Sequence, residues 1–308
     1  MTQGVGGRGP SSAPLLMLGT ALLFSVMAVC VKWASVQYSA GELVFYRSLV
    51  GTLFVSAVAR VNGTSLRTSL PAMHFWRCIC GVISLTLWFY AIGGLPLATA
   101  MTLNYMSSVW MALFLLGGAV MLGAARVDGR LVAAVLTGFA GVALVLRPTF
   151  EQQQLWHGMA GLLSGLIAAM AYLQVTALGR AGEPELRIVF YFSLGGLALG
   201  ALWMALQGAH AHSLRGLALL LAIGLSATAA QMMMTRAYRI GRTLSNASLQ
   251  YVGIVFSFGF GVLLFDDPVT WMALAGMVLI VIAGLAATFL RSHHQQVAPD
   301  IRSPPNQT

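Results

Sequence analysis

Ten apolar runs follow one another along this chain, each near the twenty or so residues that a helix needs to cross a bilayer. They lie at 14–36, 42–60, 72–93, 98–123, 130–147, 158–178, 186–207, 215–238, 244–265 and 269–290. Unpaired backbone amides are so costly in hydrocarbon that only helices and closed barrels span it, and runs this long and uniformly apolar suit helices. The expected fold is therefore all-α integral membrane, with ten transmembrane helices. Composition agrees: 17 Lys+Arg and 8 Asp+Glu in 308 residues make 8% charge, against about 25% in soluble domains. That excludes a disordered chain and an ordinary water-soluble enzyme.

The connections carry turn chemistry: Gly93-Gly94-Leu95-Pro96, Asp128-Gly129 and Gly182-Glu183-Pro184. Asp267-Pro268 reads as an N-cap and first-turn proline opening the tenth helix. The polar stretches 1–12 and 292–308 are expected to be disordered tails, and the first run is too long for a signal-peptide core, so it reads as an uncleaved span.

With the N-terminus placed in the cytoplasm, Arg8, Arg60, Arg67, Arg126, Arg130, Arg180, Arg187, Arg239, Arg242, Arg291 and Arg302 fall on the inner side. Only Arg147 and Arg215 fall outside, while Lys32, Arg47, Arg77 and Arg236 lie within spans. This bias places both termini in the cytoplasm and the protein in a bacterial cytoplasmic (inner) membrane. It also accounts for the net charge of +9 without nucleic acid. Cys30, Cys78 and Cys80 lie in apolar stretches and suggest neither a disulfide nor a metal site. His210, His212, His293 and His294 lack the further ligands of one.

The chain repeats itself. Val44 to Gly51 recurs as Val189 to Gly196, matching at six of eight positions at an offset of 145, and Leu103-Asn104-Tyr105 recurs as Leu249-Gln250-Tyr251 at an offset of 146. The first match pairs spans two and seven, the second spans four and nine. The unit is thus five spans used twice, and an odd number inverts the second copy. Inverted repeats about a midplane site are a common architecture of secondary transporters.

Further residues resemble a known family. Phe24-Ser25, Val31-Lys32-Trp33, Gly41 to Leu49, Phe89 to Ile92, Leu95 to Ala100, Thr235 to Tyr238, Leu249-Gln250-Tyr251 and Gly276 to Gly284 resemble EamA-type proteins of the drug/metabolite transporter superfamily, over about residues 14 to 290. The resemblance implies ten helices in two inverted five-helix repeats, 13–147 and 158–290, around a central cavity for a small metabolite. The chain departs from the family where a Glu often ends spans four and nine: Leu122-Gly123-Ala124 and Asp266-Asp267 stand there. Ser107-Ser108 stands near the proline often found in span four.

Polar residues deep in a span are functional candidates. Every carboxylate (Glu42, Asp128, Glu151, Glu183, Glu185, Asp266, Asp267, Asp300) lies in a loop or at a span end, which disfavours a cation-drug exporter. The substrate-binding candidates are Lys32, Arg47, Tyr90, Asn104, Tyr105, Trp110, Gln231, Gln250 and Tyr251. Arg47 could attract a carboxylate or phosphate, or pair with a neighbouring span's backbone. Its repeat mate is Phe192, so the architecture does not demand a cation there. Lys32 either snorkels outward or edges the cavity, and Arg77 and Arg236 read as snorkelling anchors near inner span ends. Asn104 and Gln250 are expected to line opposite ends of one cavity, beside Tyr105 and Tyr251. Gly161-x3-Gly165, Gly196-x3-Gly200 and Gly253-x3-Ser257-x3-Gly261 are packing stripes.

The function expected is a secondary transporter, in the export direction, of a small polar or amphipathic metabolite such as an amino acid or a derivative. The alternatives are uptake of a vitamin- or nucleotide-like compound, or a membrane scaffold or channel. With no deep acid, histidine cluster or HExxH motif, no enzyme is expected, and no cofactor. The expected partners are a small-molecule substrate and the lipid bilayer, with a homodimer left open and nucleic acid left out.

Overall fold

In the computed structural model, residues 12–121, 123, 129–146 and 152–297 are described, and every regular element among them is a helix. In chain order these are α1 (Ser12–Ala34), α2 (Ala40–Val61), α3 (Pro71–Gly94), α4 (Leu97–Tyr105), α5 (Ser107–Met121) and α6 (Gly129–Leu146). The rest are α7 (Gln152–Arg180), α8 (Glu185–Gln207), α9 (Leu214–Ile240), α10 (Thr243–Leu249), α11 (Val252–Phe265) and α12 (Trp271–Val297). Eight stretches of the described residues are long and apolar enough to span a bilayer, counting α4–α5 and α10–α11 as one each. Wide apolar surface faces outward, for instance Leu53, Leu202, Leu221, Val255 and Leu263, as lipid requires. Asp128, Arg147 and both chain ends lie outside the described residues.

Local chemistry sets the helix ends. Ser39 and Glu42 form a reciprocal capping box on α2, Pro71 opens α3, and Ser213 caps α9 through the Gly216 amide. Gly208, at φ 85°, closes α8 in a left-handed conformation open to glycine. Thr270, not Asp267, opens α12: its Oγ1 accepts from the Ala273 N–H at 3.1 Å. Asp267 is used elsewhere, as shown below. α12 runs on to Val297, into the stretch expected to be a disordered tail.

The fourth and ninth runs, expected as continuous helices, each tighten midway. At Met106 the amide bonds to Leu103 as well as Thr102, and at Gln250 and Tyr251 the amides bond three residues back, to Ala247 and Ser248. Such three-residue closure is a single 3₁₀-type turn inside a helix. The two turns sit within about a residue of corresponding positions: at the offset of 146 that this stretch carries, Met106 pairs with Val252, next to Tyr251.

The principal packing pairs are α1 with α9, α3 with α7, α2 with α8 and α6 with α12. Exchanging the two halves turns the first pair into the second and each of the others into itself. The same exchange holds at atomic scale. A methyl at Gly196 would meet Ser48 Oγ, and one at Gly51 would meet Ser193 Oγ at 2.8 Å; Ser48 and Ser193, like Gly51 and Gly196, are 145 apart. Glycine at both positions lets α2 and α8 cross in close contact.

Candidate functional site

Arg47 lies seven residues into α2 and Arg77 six residues into α3, each about 10 Å along its helix at 1.5 Å per residue. The two helices run in opposite directions, so the arginines approach the interior from opposite ends. Each is 2% exposed, and both guanidiniums lie over one ring, that of Phe192 on α8, at 4.7 Å from Arg47 and 4.3 Å from Arg77. They are therefore no more than about 9 Å apart. Arg47 Nε and Arg77 Nε and Nη1 have no hydrogen-bond partner, and no described carboxylate pairs with either residue. Gly81 makes the room: a Cβ there would collide with the Arg77 guanidinium and meet the Phe192 ring at 2.8 Å.

Around this pair is a cavity of about 40 Å³. Its walls include Phe24, Ser84, Trp88, Asn104, Tyr172 and Gln231, drawn from α1, α3, α4, α7 and α9. Each water needs roughly 10–15 Å³ by such a measure, so in this closed arrangement the space admits a few waters, and a metabolite fits only once the surrounding helices part. The Gln231 amide nitrogen is buried without a partner. Asn104 is held in place, its Nδ2 donating to Ser164 Oγ at 2.9 Å, which itself donates to the Gly161 carbonyl at 2.6 Å.

Tyr172 leads from the cavity to a second buried group. Its ring stacks on Tyr238 at 5.7 Å, and Gln250 Nε2 donates to the Tyr238 hydroxyl at 2.9 Å. Tyr105 and Tyr251 are buried beside the two tightened turns, and the Tyr105 hydroxyl abuts Gly253 without a hydrogen bond. Asn104 thus lines the cavity, whereas Gln250 reaches it only through Tyr238 and Tyr172.

The remaining candidates lie elsewhere. Lys32 is not among the walls of the cavity: its Nζ meets Asp267 Oδ1 at 2.7 Å, while Asp267 Oδ2 accepts from the Leu97 N–H at 2.7 Å. One carboxylate so ties the end of α1 to the start of α4 and the end of α11. Tyr90 is stacked on His157 at 4.2 Å, and with Trp110 and Trp156 it lines a separate apolar groove of about 580 Å³ between α3, α5 and α7. Arg236 is exposed. Arg77, read as a second anchor, is instead buried and lines the cavity. Its signal was present in the sequence, since a residue nearly two turns inside a span lies far to snorkel.

Both ends of the α2–α8 pair are closed by a side chain gripping the facing loop. At one end Glu42, fully buried, accepts from the His210 N–H at 2.7 Å and meets His210 Nδ1 at 2.7 Å, while His212 joins the Tyr46 hydroxyl at 2.8 Å and the Tyr38 hydroxyl at 3.1 Å. At the other, Arg187 donates to the Ser65 carbonyl at 2.8 Å and 3.2 Å. Glu42 and Arg187 are 145 apart in sequence, and so are Ser65 and His210. The contact recurs with its polarity reversed, an acid taking an N–H and a base giving to a C=O. Glu183 stands beside Arg187, at 2.9 Å, and accepts from Thr68 at 2.8 Å. Burial pushes its carboxyl up, but the hydrogen bonds from Thr68 and Arg187 outweigh it and hold the group below the usual carboxylate range.

Residues 11–147 match the EamA-like transporter family. The chain is similar to the pseudopaline exporter CntI of Pseudomonas aeruginosa, 33% identical over 275 residues that cover 89% of this chain and 95% of that protein. It is 23% identical to the S-adenosylmethionine uptake transporter of Rickettsia prowazekii, over 88% of this chain and 89% of the relative. A solved crystal structure matches its fold at a TM-score of 0.68 and 20% identity, covering 92% of this chain and 99% of the other. Similarity along nearly the whole chain, on a bundle of apolar helices, shows that this protein belongs to the EamA-like transporter family and is a multi-span membrane transporter of a small metabolite.

Proposed function

We propose that this protein is a secondary carrier that exports an amino-acid-derived metabolite by alternating access, from a bacterial cytoplasm, across an inner membrane with both its termini on the cytoplasmic side. In this reading residues 13–147 and 158–290 are two inverted repeats. The observation that carries it is the small cavity beside Arg47 and Arg77, on an α2–α8 pair whose two ends are held by contacts, Glu42–His210 and Arg187–Ser65, that the repeat relates to each other. Equivalent latches at the two ends of one helix pair are what a carrier needs in order to open to one side at a time. The exchange symmetry of the helix pairs and the two tightened turns in corresponding spans support the same reading.

The direction rests on the likeness to an exporter; the uptake transporter among the relatives makes import the second reading. Purified protein in liposomes tests both. Saturable flux that is accelerated by substrate on the opposite side identifies a carrier, while flux linear in concentration indicates a channel. No saturable flux across a panel of amino acids and their carboxylated conjugates overturns the proposal. Inside-out and right-side-out vesicles decide direction.

A further inference from the structure

We infer that Arg47 and Arg77 together form a clamp for a dianionic substrate: a small molecule carrying two carboxylates, or one phosphomonoester, on an otherwise apolar or amphipathic body. This deepens the carrier reading and rests on it for the assumption that the cavity is where substrate binds.

A charged side chain inside a membrane is expensive and ordinarily pairs. Here two cations share one small space, each 2% exposed, and neither has a carboxylate partner among the described residues. Four of the five described acids are occupied elsewhere: Asp267 with Lys32, Glu183 with Arg187, Glu185 with Arg239 and Glu42 with His210; the fifth, Asp266, is exposed at the end of α11. What the two arginines share is the Phe192 ring, whose π face attracts cations but cannot neutralise two of them. Each guanidinium keeps donors that nothing accepts.

Arginine offers a planar fork suited to carboxylate and phosphate oxygens. Two forks no more than about 9 Å apart, given their distances to Phe192, can grip both ends of a short dicarboxylate or converge on one phosphate. A single negative charge would leave one buried cation uncompensated, so the pair should discriminate by charge number. The Gln231 amide, also without a partner, can donate to the same ligand, and Phe24 and Trp88 give its body an apolar wall.

The test uses full-length protein purified in detergent, and measures thermal stabilisation by butyrate, glutarate and methyl phosphate at equal concentration. A ligand that binds only the folded state raises its stability as the logarithm of one plus the ratio of its concentration to its Kd. The expected result is that glutarate or methyl phosphate binds at least about tenfold more tightly than butyrate, the difference made by roughly one charge-assisted contact. Which dianion does so identifies the source of the charge. In Arg47→Gln and Arg77→Gln that preference should vanish, and in Arg47→Lys it should survive in part.

Equal binding of butyrate and both dianions by the wild-type protein overturns the clamp, as does binding of none of them, and neither outcome depends on a variant folding. A dianion preference that persists in both glutamine variants overturns the assignment to these arginines. Liposome flux separates the clamp from the carrier reading. Dianion-selective binding without flux keeps the clamp and sinks the carrier, whereas saturable flux of neutral amino acids without any dianion preference does the reverse.

Discussion

The Arg47 guanidinium lies 4.7 Å from the centre of the Phe192 ring, and these two residues are counterparts, 145 positions apart in a chain that repeats at that interval. The repeat folds back so that its one conspicuous mismatch, cation against aromatic, becomes a contact with itself. Contacts between counterparts arise where equivalent helices cross at the symmetry axis, as α2 and α8 do. A duplication that supplied Phe or Arg at both positions would lose this cation–π pairing.

Replacing Arg47 by Phe, its counterpart, should leave the fold intact. Removing an unpaired buried charge takes away a desolvation penalty rather than an ion pair, so thermal stability should stay within about 1 kcal/mol of wild type. Flux of an anionic substrate should fall by about a hundredfold or more, in line with losing a charge-assisted bidentate contact. Flux in liposomes and unfolding in detergent check the two halves; wild-type flux in the variant would remove Arg47 from the site.

The α2–α8 crossing predicts selective rescue. Gly196→Ala should cost about 1–3 kcal/mol through overpacking, because its new methyl meets Ser48 Oγ. Adding Ser48→Ala should recover most of that loss, whereas Ser193→Ala should not. Gly51→Ala should show the opposite dependence, recovered chiefly by Ser193→Ala, since there the nearest atom is Ser193 Oγ at 2.8 Å. A melting series on the single and double variants measures it.

Asp267 has two tasks that substitution can separate. Lys32→Ala removes the ion pair but leaves the Leu97 N–H capped, and Asp267→Asn keeps an oxygen for that amide while losing the charge. Asp267→Ala loses both and should be the least stable of the three, by about 1 kcal/mol, the usual worth of a cap. Equal melting temperatures for Asp267→Asn and Asp267→Ala would show that the cap contributes nothing.

Glu183 predicts a pH dependence. Its carboxyl is held below the ordinary range by Thr68 and Arg187 in spite of burial, so its ionised form is favoured by folding. That stability is complete above the unfolded-state value of about 4.3, shrinks as the pH falls below it, and is gone once the folded carboxyl protonates. Wild type should therefore exceed Glu183→Gln in stability at neutral pH and lose that margin progressively below about pH 4. Acid unfolding of both proteins gives the comparison, and a margin unchanged down to the lowest accessible pH would contradict it.

Much of this protein could be read without coordinates, because lipid is an exacting solvent. A helix in hydrocarbon must satisfy its own backbone, so spans announce themselves as apolar runs, and two short matches at nearly one offset revealed the duplication. Arg47, Asn104 and Gln231 were legible as site candidates for the same reason: polarity inside a span demands an explanation. Other features depended on what faces what. Lys32 looked like a lone cation until the fold brought Asp267 from 235 residues away to its ammonium group. Tyr90 and Trp110 looked like cavity linings, but helix rotation turns them to a lateral groove. Arg77 looked like an anchor, yet α3 carries it under Phe192. Periodicity along one chain reports how deep a residue lies and says little about which neighbour it meets, because in an apolar bundle every helix face is apolar and no amphipathic stripe marks the inner one. Depth and duplication were therefore determined by the sequence; the pairing of two buried arginines on one aromatic ring was decided by tertiary packing alone.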